Sequence, residues 1–243
     1  ELWGRLLDLN KIPAVDMELA VPLFAPRSGE RLLELFRRFQ FNSLLKKMEP
    51  APRGETAEPA LAARLVENSG QLRELAEKIR AAGSFAWDIE TTEIEFFKAG
   101  LVGLSIFVAG EGYYVPFRVP VPQAQRFRLT PVDFKQEMAG IFRDAGIGKT
   151  GHNLKFDTLH LRRQGVAVSG VEHDTMVMSY LLFPNRRSHQ LKELSAEFLG
   201  ARQATYEELV GKGKSQVPIA EVELGKVAAY CAADADGSRR LAA

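Results

Sequence analysis

The sequence lacks the features that define several common classes of protein. Its single cysteine, Cys231, excludes an intrachain disulfide and a zinc-thiolate cluster. No apolar run approaches the ~18 residues that cross a bilayer, and the N-terminal segment ELWGRLLDLN has no signal-peptide pattern. We therefore expect a protein of a reducing, cytoplasmic compartment that has no membrane partner.

Neither sign of charge is in excess. Lys and Arg number 32 against 31 for Asp and Glu, so the formal net charge is +1. Domains that bind long duplexes by bulk electrostatics are usually strongly basic, and this balance argues against such a domain. It does not exclude the binding of a short nucleic-acid strand at a local site. The four histidines have no mutual metal-ligand spacing, and the segment GKGK at residues 211–214 lacks the full P-loop pattern.

The sequence does contain a small N-terminal piece, a linker and a larger unit. Residues 1–48 have apolar residues at helical spacing, with Ser28 as a predicted N-cap. Residues 49–59 hold three prolines and no large apolar residue, and we interpret them as a linker. Residues 60–243 form the second domain.

In the second domain, strand patterns come first and helical patterns last. Nearly apolar runs predict strands at 84–91, 101–110 and 112–117, with a shorter one at 147–151. Helical spacing predicts helices at 70–82 and 132–146, from residue 153 onward, and at 173–183, 190–199 and 221–243. This order predicts an α/β fold in which helices pack around a sheet.

Two carboxylates stand two residues apart at the end of the first of these strands. Asp88 and Glu90 lie in the segment WDIETT, and residues two apart on a strand point to the same face. At ~4 Å and an effective dielectric near 20 their repulsion costs about 4 kcal/mol, which a hard divalent cation offsets. Taken alone, a D-x-E motif is more often a solvated strand end with two surface charges.

Two further acidic residues occupy helix positions that suit a shared site. Asp157 lies one turn into the helix that Asn153 is predicted to cap, at the strand edge where α/β sheets collect ligands. Asp234 follows Tyr230 by four residues, so the two share a helix face. Each also has an ordinary interpretation. Asp157 could contribute ~0.3–1 kcal/mol through the helix dipole, and Tyr230 with Asp234 could belong to an amphipathic helix.

Taken together, the three motifs resemble the proofreading exonuclease domains of the DNA polymerase I family, members of the DEDDy class. The blocks WDIETTEIEFFKAGLVGLS, GHNLKFDTLHLRRQG and VEHDTMVMSYLL are similar to the first two regions of that domain. TYEELVGKGKSQ followed by KVAAYCAADAD is similar to the third. The G-K-G-K-x-Q signature is more particular to these polymerases than the four acids, which RNase D shares.

The resemblance implies an RNase H-like fold for residues 60–243, a mixed sheet flanked by helices. Residues 1–48 look like the helical tail of the 5′-nuclease domain that precedes the exonuclease in these polymerases, and would form a short helical appendage. A polymerase domain is expected to follow this segment in the parent chain.

The resemblance also assigns roles to the acidic residues and the tyrosine. It implies a first divalent metal ion, Mg²⁺ or Mn²⁺, held by Asp88, Glu90 and Asp234. A second ion would be bridged by Asp88 and supported by Asp157. Tyr230 would orient the attacking water, because a tyrosine with a pKa of about 10 is a poor base at neutral pH. The segment AAYCAA at residues 228–233 excludes the sister class, which has a histidine there.

Four residues correspond to the family's DNA contacts. Thr91 would lie near the terminal 3′-OH, and Asn153 would hold the strand. Ile94 falls where the family has an apolar wedge, and Tyr206 where it has an aromatic residue that stacks near the 3′ end. Stacking on tyrosine contributes ~1–3 kcal/mol per base and tolerates any base. Ordinary packing is the alternative for Ile94 and Tyr206.

Three other features near these motifs are predicted to have structural roles or to lie beside the DNA, outside the catalytic site. Asp174 is predicted to cap the helix at 173–183, and Cys231 to lie in the core on a different side of its helix from Tyr230. The GKGK segment is predicted to form a loop near the DNA backbone.

The predicted function is removal of nucleotides from a single-stranded or frayed DNA 3′ end, with release of nucleoside monophosphates. The domain would be the proofreading unit of a DNA polymerase, a cytoplasmic, nucleoid-associated monomer. One alternative is an inactive spacer, which the presence of all four acids and Tyr230 argues against. The other is an RNA-processing exonuclease of the RNase D type, which the G-K-G-K-x-Q signature argues against.

Overall fold

The computed structural model describes residues 30–39, 41, 44–45, 61–120, 124, 127 and 129–243. The chain divides into two compact units, Glu1–Arg53 and Gly54–Ala243. In the first unit, helix α1 spans Glu30–Arg38, within the segment of predicted helical spacing. The proposed cap Ser28 and the linker at residues 49–59 lie outside the described residues, so the predicted domain boundary stays a prediction.

The described residues of the second unit include a mixed sheet of six strands. The strands are β1 Ala63–Leu65, β2 Ser84–Thr91, β3 Leu101–Val108, β4 Glu111–Pro116, β5 Gly148–Gly151 and β6 Val171–Asp174. Across the sheet they follow the order β1-β4-β3-β2-β5-β6. β3 pairs antiparallel with β2 and β4, whereas the pairs β1–β4, β2–β5 and β5–β6 are parallel.

Helices surround this sheet. They are α2 Ser69–Ala82, α3 Pro131–Arg143, α4 Leu154–Arg163, α5 Thr175–Leu182, α6 Leu191–Leu199, α7 Tyr206–Val210 and α8 Leu224–Ala242. Short 3-10 turns lie at Gly213–Ser215 and Ile219–Glu221. Among the described residues, no helix combines the length and the apolar character that crossing a membrane requires.

Local sequence explains where the first helices of this unit begin and end. The Asn68 side chain accepts a hydrogen bond from the Gln71 N–H at 3.0 Å, and Gly83, with φ of 73°, closes α2 in the left-handed region. Thr130 and Asp133 form a reciprocal capping box at the start of α3. These signals lie within single segments, and the boundaries of both helices are close to the predicted ones.

Helices cover both faces of the sheet. One buried cluster packs α2, α3 and α4 against it, and a second packs α8 against β3 and β4. On β4, Tyr113 and Val115 belong to the first cluster and Tyr114 to the second. Because successive strand residues point to opposite faces, the two clusters lie on opposite faces. The central strands are therefore buried on both sides, as their nearly apolar sequences indicate.

The sequence pattern does not predict β1 or β6. The helix predicted at 173–183 is present but begins two residues later, at Thr175, because His173 and Asp174 belong to β6. These two strands have three and four residues, too few to show an alternation. Each pairs with a strand from a different segment of the chain. The hydrogen bonds to that partner, rather than the local sequence pattern, therefore hold these residues in a strand conformation.

Candidate active site

Strand β2 carries Asp88 and Glu90 at its carboxyl end. Asp88 is paired with Ser105 of β3, and Glu90 with Gly103. The pairing register shifts between Glu90 and Thr91, and an irregularity of this kind turns the chain away from its neighbour. The strand therefore ends immediately after the two carboxylates.

Helix α8 brings a third carboxylate to the same point. Asp234 is 7% exposed and lies on α8, which packs against β2 and β3. One carboxylate oxygen from each of Asp88, Glu90 and Asp234 lies within 4.8 Å of the other two. The structure therefore brings together three of the four predicted metal ligands, and we call them the carboxylate cluster.

Asp157 lies near this cluster but is not one of its three members. It is in the first turn of α4 and is 3% exposed, and its Oδ2 is buried without a hydrogen-bond partner. Burial, followed by the charges of Glu90 and Asp174, raises its pKa well above the ordinary value. The influence of Glu90 places Asp157 within electrostatic reach of the cluster.

The members of the cluster resist ionisation. Burial raises the pKa of Asp88 well above its ordinary value, and the charges of Asp157, Glu90 and Asp234 add to the effect. Burial and the Asp234 charge raise the pKa of Glu90 to about 8. Burial also raises the pKa of Asp234. Crowded, buried carboxyl groups of this kind ionise together only when a cation compensates their charge.

The turn from β5 into α4, which positions Asp157, is capped by a residue of another strand. Asn153 occupies the predicted N-cap position, at φ 65°, but its side chain does not make the expected capping hydrogen bond. Its Oδ1 accepts a hydrogen bond from Lys155 Nζ at 2.6 Å instead. The Asp174 carboxylate accepts from the N–H groups of Asn153 at 3.0 Å and Leu154 at 2.8 Å. Asp174 also caps α5, as predicted, so one carboxylate joins the starts of two helices.

Tyr230 lies one helical turn before Asp234 on α8 and is half-buried. Burial, followed by the charges of Asp234 and Glu90, raises the pKa of its hydroxyl above the ordinary value. The hydroxyl therefore stays protonated at neutral pH. It can donate a hydrogen bond beside the cluster, but it is unsuited to accept a proton as a base.

Lys192 is a member of this region that sequence reasoning missed. Its ammonium forms an ion pair with Oδ1 of Asp234 and lies 4.2 Å from the centroid of the Tyr230 ring. In the sequence it stands in the amphipathic helix QLKELSAEFL, where a lysine looks like an ordinary surface charge. No local motif identifies it, because its partners lie on α8.

A glycine and an aromatic ring shape the floor under Glu90. A Cβ at Gly103, opposite Glu90 in the sheet, would overlap the phenol of Tyr114. Tyr114 is fully buried, and its hydroxyl has no hydrogen-bond partner. Cys231 is also fully buried, as predicted, and its Sγ lies 3.7 Å from Oε1 of Glu90. Residues of β3, β4 and α8 thus form the buried surface beneath Glu90.

The residues predicted to contact DNA differ in exposure. Ile94, in the segment after β2, is 89% exposed, which excludes ordinary packing as the explanation for this side chain. Tyr206, at the start of α7, is 39% exposed, and burial followed by the Glu90 charge raises its pKa. Thr91 donates a hydrogen bond from Oγ1 to the Glu93 carbonyl at 2.9 Å. The DNA-contact roles of these residues and of Asn153 stay predictions.

The donor set fits a hard divalent cation. Carboxylate oxygens are the ligands that Mg²⁺ and Mn²⁺ prefer, and the cluster offers three of them within 4.8 Å of one another. The unpartnered Oδ2 of Asp157 provides a further acceptor nearby. Histidine and cysteine ligands, which favour zinc, contribute nothing to the cluster, which consists of Asp88, Glu90 and Asp234.

Comparison with known proteins gives matches over most of the chain. Residues 63–243 match the 3′-5′ exonuclease family. The chain is 32% identical over 195 residues to DNA polymerase I of Chloroflexus aurantiacus, an alignment that covers 79% of this chain and 20% of that protein. The chain therefore spans about a fifth of the length of this curated relative.

Solved structures give likenesses of fold. The complex of Trypanosoma brucei RNase D with RNA U12 has a TM-score of 0.60 at 18% identity, covering 75% of this chain and 61% of that one. Brucella melitensis NrnC with bound Mg²⁺ has a TM-score of 0.53 at 19% identity, covering 74% of this chain and 76% of that one.

Proposed function

The chain belongs to the family of 3′-5′ exonuclease domains, and we propose that it removes nucleotides from the 3′ end of a DNA strand with the help of two divalent metal ions. Its fold, a mixed sheet flanked by helices, is RNase H-like. Its activity, that of a 3′-5′ exonuclease, follows from the family. The ions, the DNA substrate and the roles of single residues are the substance of the proposal.

The observation that carries this proposal is the meeting of Asp88, Glu90 and Asp234. Their oxygens lie within 4.8 Å of one another although the three residues come from a strand and a distant helix. Such an arrangement is unfavourable for folding unless a cation is bound, because each negative charge raises the cost of the next. A site that concentrates charge in this way supports a metal-dependent reaction.

The four acids divide between two ion positions. Asp88, Glu90 and Asp234 would hold the first ion, and Asp88 together with Asp157 the second. Divalent ions held there would supply positive charge that favours a nucleophilic water and compensates the charge of the leaving oxygen. Mg²⁺ and Mn²⁺ both suit the all-carboxylate donor set.

Tyr230 supplies orientation rather than proton transfer. Its protonated hydroxyl, one turn from Asp234, would donate a hydrogen bond that fixes the attacking water in line with the scissile bond. The water oxygen forms a new bond to phosphorus as the bond from phosphorus to the 3′ oxygen of the penultimate nucleotide breaks. The water would release a proton to solvent, and the leaving 3′ oxygen would take one up. The product is a nucleoside monophosphate and a strand one nucleotide shorter.

The strand itself would be held by side chains around the cluster. The exposed Ile94 would wedge against the terminal base, and Tyr206 would stack near it. Thr91 and Asn153 would contact the terminal nucleotide and the backbone. Apolar and stacking contacts are indifferent to base identity, which suits an enzyme that removes whichever nucleotide is wrong.

DNA is the proposed substrate because the curated relative is a DNA polymerase and because of the GKGKSQ segment. In this segment Gly211 has φ of 88°, and a Cβ there would lie 2.7 Å from the Ser215 carbonyl oxygen, so glycine is required for the turn. Lys212 is paired with Glu207 at 2.7 Å. RNA is the alternative, since the RNase D neighbour was solved with RNA.

The wider setting is also part of the proposal. A polymerase domain following this segment in the parent chain would make the domain a proofreading unit. Residues 1–48 would be the tail of a 5′-nuclease domain. The protein would act as a monomer in the cytoplasm, near the nucleoid.

Degradation of matched single strands tests the proposal. We expect a DNA oligonucleotide to shorten from its 3′ end with Mg²⁺ or Mn²⁺ present, to stay intact in excess EDTA, and to shorten again when metal is restored. An RNA strand of the same sequence should be cut more slowly, and a blunt duplex more slowly than the single strand. Full activity in EDTA would contradict the metal mechanism, and faster cutting of RNA would contradict the choice of DNA.

A further inference from the structure

Lys192 places a fixed positive charge at the carboxylate cluster. It lies on α6, and its ammonium forms an ion pair with Oδ1 of Asp234, a residue 42 positions later in the chain. The Lys192 side chain is 22% exposed and that of Asp234 10%, so the pair lies at the edge of the site. The ammonium is also 4.2 Å from the centroid of the Tyr230 ring. A cation in this position is held by a carboxylate and by the face of an aromatic ring.

The charge of Lys192 acts beyond its direct partner. Asp88, Glu90 and Asp234 each have a carboxylate oxygen within 4.8 Å of one from each of the other two, so an ammonium paired with Asp234 also lies close to the charges of Asp88 and Glu90. Lys192 therefore compensates part of the negative charge of all three members of the cluster. A divalent ion bound to the same three oxygens would compensate the same charge.

We propose that Lys192 is a built-in counter-ion of the metal site, which pairs with Asp234 in the metal-free domain and is displaced when a divalent ion binds. This inference rests on the proposed metal-dependent function. An ammonium and a divalent ion that share one carboxylate repel each other at short range, so the two compete for Asp234. The flexible four-carbon stem of lysine allows the ammonium to withdraw while the backbone of α6 stays in place.

The ion pair between Lys192 and Asp234 raises the stability of the metal-free domain and lowers its apparent affinity for metal. In the metal-free domain Lys192 keeps the carboxylates close together and so maintains the site before an ion arrives. When an ion binds, separating Lys192 from Asp234 costs free energy, which lowers the apparent affinity for metal. A lysine that stabilises the metal-free state must weaken metal binding, because both effects come from the same ion pair.

Direct measurement of metal binding tests the proposal. The variant Lys192→Met keeps the aliphatic stem and removes the charge, and Lys192→Arg keeps a charge. Mutating an outer partner that orients a metal ligand typically weakens metal binding about 10–100-fold. Because Lys192 competes with the ion for its ligand, we expect the opposite sign and a similar size, with Lys192→Met binding Mn²⁺ roughly ten-fold more tightly, as followed by EPR of the free ion. Without metal it should melt at a lower temperature than the wild type, and saturating Mn²⁺ should remove that difference. Lys192→Arg should resemble the wild type in both measurements.

Lys135→Met is the matched control, because Lys135 is an exposed residue of α3 that loses the same charge. It should leave both Mn²⁺ affinity and the melting temperature unchanged. Unchanged or weaker Mn²⁺ binding by Lys192→Met would overturn the inference, and Lys192→Gln repeats the test if the methionine variant does not fold. A wild-type protein that binds no Mn²⁺ would instead overturn the metal-dependent function itself, so the two failures are distinguishable.

Discussion

At the scale of single residues, Tyr230 and Asp234 share one face of α8 and contribute different chemistry. Asp234 offers an oxygen to the carboxylate cluster, whereas Tyr230 offers a hydroxyl that its raised pKa keeps protonated. In the proposed mechanism the first residue holds an ion and the second orients a water. The two roles differ in how much activity should survive the loss of each side chain.

Replacing Tyr230 with Phe removes one hydrogen bond and keeps the packing of the ring. Loss of a single positioning donor typically costs about 10²–10³ in rate, ~3–4 kcal/mol, so measurable activity should remain. Asp234→Ala removes a metal ligand and should leave almost none. Single-turnover rates and Mn²⁺ titrations on both variants check this order, and Tyr230→Phe should keep the wild-type metal affinity. Equal loss of activity in both variants would show that the tyrosine does more than orient water.

At the scale of elements, the junction of β5 and α4 decides where Asp157 lies. Gly151 ends β5, and a Cβ there would lie 2.8 Å from the Trp87 carbonyl oxygen of β2 and would also overlap the Leu154 side chain. Trp87 immediately precedes Asp88. The absence of a side chain at Gly151 therefore lets the strand-to-helix turn approach the strand that carries the cluster.

The substitution Gly151→Ala should destabilise the domain. Forcing an additional methyl group into a filled space costs about 1–3 kcal/mol, and the shift should also lower exonuclease activity by moving Asp157. Gly140→Ala is the matched control, because Gly140 lies within α3 and a Cβ added there would meet no described neighbour within 4 Å. It should stabilise the domain by up to ~1 kcal/mol through helix propensity. Urea unfolding of both variants measures the difference, and changes of the same sign would contradict the packing argument.

His152 lies in the same junction and confers a dependence on pH. The Thr175 hydroxyl donates to the Gly151 carbonyl at 3.2 Å, so Nδ1 of His152 donates to Thr175 Oγ1 at 2.8 Å, and Nε2 is buried without a partner. Burial lowers the pKa of His152 from 6.5 to about 4. The charge of Asp174 opposes this shift, the charge of Lys192 adds to it, and His189 acts in both directions, since its backbone raises the pKa and its charge lowers it. The folded state therefore prefers the neutral ring.

A histidine whose pKa is lowered by folding destabilises the protein in acid. Its contribution is intact above pH 6.5 and is lost as the pH falls through about 4, a loss of up to ~3 kcal/mol. His152→Asn can keep the hydrogen bond to Thr175 and does not titrate. Urea unfolding in EDTA between these pH values should show a steeper loss of stability for the wild type than for the variant. Parallel curves for the two proteins would show that His152 does not carry this effect.

At the scale of the whole molecule, the buried clusters of the described residues are built from residues between Leu61 and Ala235. The carboxylate cluster, Tyr230 and Lys192 all belong to this part of the chain. The second unit therefore contains both a core and a complete candidate site. A domain with its own core can fold by itself.

Deleting residues 1–59 should leave the exonuclease activity largely unchanged. We expect the rate on a single-stranded DNA oligonucleotide to stay within about two-fold of the full chain, because the deletion removes neither the core nor the site. Circular dichroism of the shortened protein checks that it folds. A shortened protein that unfolds would show that the N-terminal residues contribute to the core.

The sequence by itself determined the central strands and the three acidic residues of the carboxylate cluster. Strand β2 has the predicted boundaries and helix α2 begins one residue before its predicted start, because periodicity, caps and glycines act within one segment. The order of Asp88, Glu90, Asp157, Tyr230 and Asp234 along the chain, together with the G-K-G-K-x-Q signature, carries the resemblance to the family. These features are either local or are motifs that can be recognised from the order and spacing of residues along the chain.

Only the tertiary structure decided β1, β6, the capping of α4 by Asp174 and the position of Lys192. Strands β1 and β6 exist through parallel pairing with distant strands. Asp174 caps a helix that begins 20 residues earlier in the chain, and Lys192 meets Asp234 across 42 residues. Interactions between distant segments have no signature within either segment. They depend on how the sheet and its helices bring the segments together.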